Sequence, residues 1–177
     1  MMETREPFPM CAHHLTRVLE LRPVAGDEAA ILGLKLVAME PWRSLGFTAA
    51  GLERYFTRVD PGLNRYSVVW EGRLAGVVVV RYPWLRGAYL ELLGLFAETQ
   101  GRGMGQHIIA WLVSETSIGG ANLWATVSAS NHDARCFYEK QGFVPIGDIP
   151  NLVREGYTEI LLRLPLQDGR TGQRRQN

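Results

Sequence analysis

The stretch from Leu90 to Ile109 constrains the fold more than any other. It opens as an apolar strand, Leu90-Glu91-Leu92-Leu93-Gly94-Leu95-Phe96, and closes as an amphipathic helix. Between them lies a short turn with Gly101, Gly103 and Gly105. Glycine lets backbone N–H groups converge with no Cβ in the way. At the start of a helix those groups sit at the positive end of the dipole and form a ready anion site. Strand, glycine turn and helix in that order point to a phosphate-bearing ligand. Two common phosphate loops do not fit. A dinucleotide fingerprint, G-x-G-x-x-G, fails at Gln106 when counted from Gly101 and at Ile108 when counted from Gly103. A nucleoside-triphosphate loop needs Gly-Lys-Ser/Thr, and here Gly105-Gln106-His107 stands instead.

The pattern that fits is Gln/Arg-x-x-G-x-G/A, read as Gln100, Gly103 and Gly105. A second motif follows, N-x-x-A-x-x-F-Y-x-x-x-G-F, carried by Asn131, Ala134, Phe137, Tyr138, Gly142 and Phe143. Its physics reads as a helix. Ser130 and Asp133 have capping-box spacing, and Gly142 suits the left-handed residue just past a helix end. Asn131 and Tyr138 are about two turns apart, so they share a face. The two motifs resemble those of the GNAT superfamily of N-acetyltransferases, which bind acetyl-coenzyme A (acetyl-CoA).

That resemblance implies an α/β (α+β) GNAT fold. Its central sheet is mixed, mostly antiparallel and seven-stranded, flanked by about four helices in the order β-α-α-β-β-β-α-β-α-β-β. It implies that acetyl-CoA is the acyl donor. The implied cofactor contacts are Leu93, Gly94 and Leu95 on the strand, then Gln100, Gly101, Arg102, Gly103, Met104, Gly105 and Gln106, and finally Asn131 and Tyr138. Asn131 bonds the pantetheine arm or serves as a simple helix cap.

Acyl transfer from a thioester to an amine needs three things. The amine must lose a proton, the tetrahedral oxyanion needs a donor, and the leaving thiolate, near pKa ~8.5 by analogy with cysteine, benefits from a proton. The resemblance puts the oxyanion donor on this strand at a bulge, as the N–H of Leu95. Gly94 is the expected bulge residue, the alternative being tight packing. It makes Tyr138 the general acid, the alternative being a core aromatic. Some members carry a base carboxylate on the strand of Glu91. Others place it five residues before the motif asparagine, where Thr126 stands. Glu91 is the expected base, acting through water. A carboxylate on an apolar strand is costly unless it meets a cleft or a partner, so an ion-paired glutamate is the alternative. Cys136 reads as a small packed residue rather than an acyl carrier.

The remaining chain reads as one domain over 15–166, between a flexible N-terminal extension over 1–14 and a disordered polar tail over 167–177. Arg17–Pro23 reads as the first strand. Asp27 caps a helix that Pro41 ends, and Thr48 starts a second. Tyr66–Trp70 and Leu74–Tyr82 read as a hairpin, and Val77–Val80, continuously apolar, as buried on both faces. The acceptor pocket is expected from Pro41–Phe47, Tyr82–Arg86 and Pro150–Gly156, with Trp42 and Trp84 as walls.

The net charge of +1 gives no electrostatic footprint for nucleic acid. No apolar run is long enough to span a membrane. The N-terminal residues, with Glu3, Glu6, Pro7 and Pro9, are no signal peptide. Cys11 and Cys136 make neither a disulfide framework nor a metal pattern, and His13-His14 lacks supporting ligands, so no metal is expected. A cytoplasmic monomer or homodimer is the simplest reading. Three functions stay in view. The first is an N-acetyltransferase of a small-molecule primary amine, by direct attack. The second is a protein N-terminal or lysine acetyltransferase. The third is a non-catalytic acyl-CoA sensor.

Overall fold

The structure, a computed structural model, describes residues 5–166; the tail read over 167–177 lies outside the described residues, as does the start of the N-terminal extension. The strands are β1 (His13–His14), β2 (Leu19–Pro23), β3 (Leu63–Trp70), β4 (Arg73–Trp84), β5 (Gly87–Leu95), β6 (Asn122–Ser128), β7 (Val144–Pro150) and β8 (Thr158–Pro165). The helices are α1 (Gly26–Val37), α2 (Ala49–Thr57), α3 (Met104–Thr116) and α4 (His132–Lys140). One turn of 3-10 helix, Ala97–Thr99, leads from β5 toward the glycine turn. All the strands join one sheet in the order β1-β2-β3-β4-β5-β6-β8-β7. Every neighbouring pair is antiparallel except β5 with β6. The sheet is mixed and mostly antiparallel, as expected, with eight strands rather than seven because His13–His14 adds an edge.

The helices cover both faces. Val77 and Val79 of β4 pack with Leu32, Leu36, Leu52 and Phe56 of α1 and α2. Val78 and Val80 pack with Ile108 and Leu112 of α3 and Tyr138 of α4. Alternation along a strand sends neighbours to opposite faces, so the continuous valine run requires this double cover. Local chemistry sets the ends of the helices. The Thr48 hydroxyl accepts from Gly51 N at 3.1 Å and starts α2. At α1 the helix begins at Gly26, and Glu28 reaches back to Ala25 N. The cap of α4 is Asn131, whose Oδ1 accepts from Ala134 N at 3.1 Å, rather than Ser130. Gly142, at φ +88, closes that helix.

The N-terminal stretch departs from expectation. Residues 5–14 are folded onto the domain rather than loose. Phe8 is 2% exposed, and its ring meets Tyr82 and Trp111. Its N–H donates to the buried Glu115 carboxylate of α3 at 3.0 Å, and its carbonyl accepts from the Tyr66 hydroxyl at 2.8 Å. Arg5 pairs with the same carboxylate. A buried carboxylate must be paired, and here the N-terminal strap supplies the partners. Cys136, expected to be packed, is exposed on α4.

Candidate active site

The parallel pairing of β5 with β6 runs only from Gly87↔Asn122 to Leu90↔Ala125. Beyond it the strands part, and a cleft of about 1100 Å³ opens between them. The glycine turn, Asn131 and Tyr138 line one side. Pro41, Trp42, Phe47, Tyr55, Leu152 and Val153 line the other. The lining thus combines the glycine turn and α4 with the loop after α1, and the two sets meet where Asn131 and Pro41 share a smaller pocket.

Register places the bulge on β5. Val79 pairs with Leu92 and Val80 with Leu90, so Glu91 is the extra residue. Packing agrees. Leu90 joins the cluster under α3 and α4, whereas Leu92 joins the one under α1 and α2. Residues two apart on an unbroken strand would share a face. Gly94, expected as the bulge residue, instead pairs regularly with Val77. A Cβ there would stand 2.5 Å from Leu36 Cδ2 and 3.1 Å from the Trp42 ring. Tight packing is the reason for this glycine.

The phase of the ladder decides which amides face the cleft. Phe96 N donates to Ala75 O at 2.8 Å, so Leu95 opposite Gly76 is a non-hydrogen-bonded pair. Its N–H therefore turns away from β4, toward the gap. Leu93, two residues earlier, has the same phase. The Leu95 carbonyl accepts from Gln100 Nε2 at 2.8 Å, so this motif glutamine braces the strand end.

In the glycine turn, Gly103 has φ +77 and no side-chain cap at the start of α3. A non-glycine residue there pays the left-handed penalty. The N–H groups from Gly101 to Gly105 donate to no protein group among the described residues. Convergent free N–H groups at the N-terminus of a helix suit a pyrophosphate, with Arg102, Met104 and Gln106 alongside in the cleft wall. The site therefore fits the CoA moiety on its own geometry.

Tyr138 lies 8% exposed between Phe137 and Phe143 and reaches the cleft. Burial pushes its phenol well above the usual range, so it stays protonated and able to donate. Glu91 is held at both oxygens. Oε2 accepts from Arg81 Nε and Oε1 from the Tyr55 hydroxyl, each at 2.9 Å. Arg81 also grips Asp60, at 3.1 Å. Thr126 bonds Tyr89 at 2.8 Å. Trp42 lines the cleft as expected. Trp84 does not: it packs against Trp124 and against Tyr89, which does line the cleft, and Tyr82–Arg86 contributes nothing to the lining. Glu159 of β8 lines the cleft and was not singled out from the sequence; its signal was a lone carboxylate opening the last apolar run. Among the described residues no cluster of metal-ligating side chains occurs, and no helix is long and apolar enough to cross a membrane.

The family model described as Acetyltransferase (GNAT) family matches residues 31–143. The chain belongs to the GNAT acetyltransferase family. Membership implies acetyl transfer from acetyl-CoA, and the solved GNAT structures agree in fold. An acetyltransferase from Thermus thermophilus is 25% identical, with TM-score 0.70, covering 87% of this chain and 100% of that one. Nourseothricin acetyltransferase is 26% identical, with TM-score 0.55, covering 61% of this chain and 68% of that one. The ribosomal L7/L12 alpha-N-protein acetyltransferase RimL, in complex with coenzyme A, shares the fold at 14% identity, with TM-score 0.69 over 92% of this chain and 99% of that one. Among curated proteins, none matches the chain.

Proposed function

We propose that this GNAT protein is an N-acetyltransferase that moves the acetyl group of acetyl-CoA to a primary amine of a small molecule, by direct attack. The observation that carries the reading is the shape of the acceptor end. The loop after α1 is tied to the loop between β7 and β8, because Ser44 O accepts from Arg154 Nη1 at 2.7 Å and from the Tyr157 hydroxyl at 3.2 Å. The tie joins the two loops beside the part of the cleft walled by Trp42, Leu45 and Val153, and this supports a small acceptor rather than an extended peptide. Nourseothricin acetyltransferase, similar at 26% identity, supports a small-molecule acceptor.

Bound acetyl-CoA supplies an activated thioester. Gly101 to Gly105 would hold its pyrophosphate, and the peptide groups of Leu93 and Leu95 that face the gap would bind its pantetheine arm. Leu95 N–H donates to the acyl oxygen as that oxygen gains charge. Tyr138 protonates the departing sulfur. Glu91, fixed by Arg81 and Tyr55, supplies negative charge toward an acceptor ammonium. Release of free CoA thiol, followed with a panel of small primary amines and of peptides, tests the reading. Turnover with the small amines is expected; turnover confined to peptides, or none at all, overturns it.

A further inference from the structure

The mechanism so far leaves the amine proton without a destination. Glu91 already accepts from Arg81 at one oxygen and from Tyr55 at the other. The other carboxylate of the cleft wall beside β6 is Glu159, which β8 sets in register with Ser128 of β6 and Ile149 of β7. Glu159 is 5% exposed, and its Oε1 is buried with no hydrogen-bond partner among the described residues. A buried carboxylate oxygen without a donor is destabilising unless a ligand provides the donor. An amine N–H is such a donor. We infer that Glu159 is the general base of the reaction, taking the proton of the acceptor amine at Oε1. The inference rests on the acetyl-transfer reading above.

The surroundings of Glu159 suit the role. The Ser128 hydroxyl on β6 and the Tyr89 phenol on β5 stand beside it, and its β7 neighbour Ile149 carries no charge. Of the other ionisable groups in the cleft wall, Glu91 is paired with Arg81 and Glu40 with Arg43. Tyr55 donates to Glu91, Tyr138 belongs to the α4 side, and Asp133 and Arg102 stand at the starts of α4 and α3. No cation pairs with Glu159 among the described residues. Burial raises its carboxyl pKa, against a smaller opposing pull from the Ser128 hydroxyl. A carboxyl shifted toward working pH is a better-matched proton acceptor.

The protons balance. Glu159 takes one proton from the ammonium and becomes a carboxylic acid. The freed nitrogen lone pair forms the C–N bond, and the C–S bond breaks with its electron pair on sulfur. Tyr138 gives its proton to that sulfur and regains one, through water, from the nitrogen that has become an amide. Glu159 then releases its proton to solvent, so each turnover yields amide, free thiol and one proton.

The test compares wild type, Glu159→Gln and Glu159→Asp with two acceptors, one amine near pKa ~10.4 and one α-amine near ~7.7–8.0. Glu159→Gln should lower kcat/KM for the more basic amine by ~10²–10⁴-fold at neutral pH. The loss should shrink as pH rises, and should be smaller for the α-amine. Glu159→Asp, which keeps a carboxylate, should retain the wild-type profile shape at a reduced rate. Difference infrared spectra of the free protein supply a second readout. A carboxylic acid band that titrates above the usual glutamate range should be present in wild type and missing in Glu159→Gln. A loss equal for both amines at every pH, or identical spectra, overturns the role. Wild type that turns over no amine removes the acetyl-transfer reading and the base together. Wild-type turnover with an unchanged Glu159→Gln profile removes the base alone.

Discussion

The Tyr55 hydroxyl on α2 stands 2.9 Å from Glu91 Oε1 on β5, so the helix layer is tied directly to the bulged residue of the sheet. Tyr55→Phe removes that bond and leaves the Arg81 contact in place. A hydrogen bond to a charged group contributes about 1.5–3 kcal/mol, and this one is only part-buried, so a loss near the lower end is expected in denaturant unfolding. On the proposed reading, in which Glu91 orients the acceptor ammonium, KM for the acceptor should rise more than kcat falls. An unaltered KM would detach Tyr55 from acceptor binding.

Gly103 offers a test of the cofactor end that separates charge from backbone strain. Gly103→Asn and Gly103→Asp have side chains of nearly equal size, and asparagine and aspartate tolerate left-handed backbone better than other residues do. Both variants should fold. Acetyl-CoA should still raise the melting temperature of the Asn variant, since a ligand that binds only the folded state stabilises it. The Asp variant, with its charge against the pyrophosphate, should lose that shift. Equal shifts in both would move the phosphate site elsewhere.

Tyr138→Phe keeps the ring packed between Phe137 and Phe143 and removes the phenol proposed to protonate the sulfur. Turnover should fall by ~10²–10⁴-fold, the usual scale for a general acid, with acetyl-CoA binding nearly intact. Burial holds the wild-type phenol protonated beyond its ordinary value. The wild-type kcat profile should therefore show no alkaline fall from this group up to about pH 10. Undiminished turnover would make Tyr138 a packing residue.

Stability should decline in alkali with a definite sign. Burial raises the phenols of Tyr55, Tyr66, Tyr89 and Tyr138 above their usual range. The unfolded chain gives up these protons near pH 10, while the folded protein keeps them. Between the unfolded and folded values the native state binds more protons, so unfolding free energy falls as pH rises. Below the unfolded value the contribution is fully present. Melting temperature measured across alkaline pH should drop from about pH 10 upward, and Tyr138→Phe should flatten the slope.

How much of this was legible beforehand depends on what each residue answers to. The glycine turn, the Val77–Val80 run and the Thr48 cap follow from local chemistry, and the structure places them where the sequence puts them. The bulge could not be assigned that way. Gly94 carried the local signal, but the two-face packing of Leu90 and Leu92 sets the extra residue at Glu91. Phe8 was missed because its partners, Tyr66, Trp111 and Glu115, lie far along the chain. Trp84 was misplaced for a like reason: its ring packs on Tyr89 and Trp124 rather than entering the lining. Glu159 escaped notice because a carboxylate at a strand start ordinarily faces water, and the convergence of β6, β7 and β8 is what buries it.

The four-pair seam between β5 and β6 has a mechanical side. At its closed end, a Cβ on Gly87 would stand 1.8 Å from Asn122 O, and one on Gly120 2.6 Å from Gly87 Cα. Backbone rests on backbone there, with no side chain as a spacer. The seam joins two leaves of the sheet, one of five strands and one of three, along that short line. A seam set so tightly fixes the angle at which the leaves diverge, and that angle is the aperture at the other end. The width available to thioester and amine is thus written partly in glycines that touch neither, and any side chain inserted there acts as a shim under the whole opening.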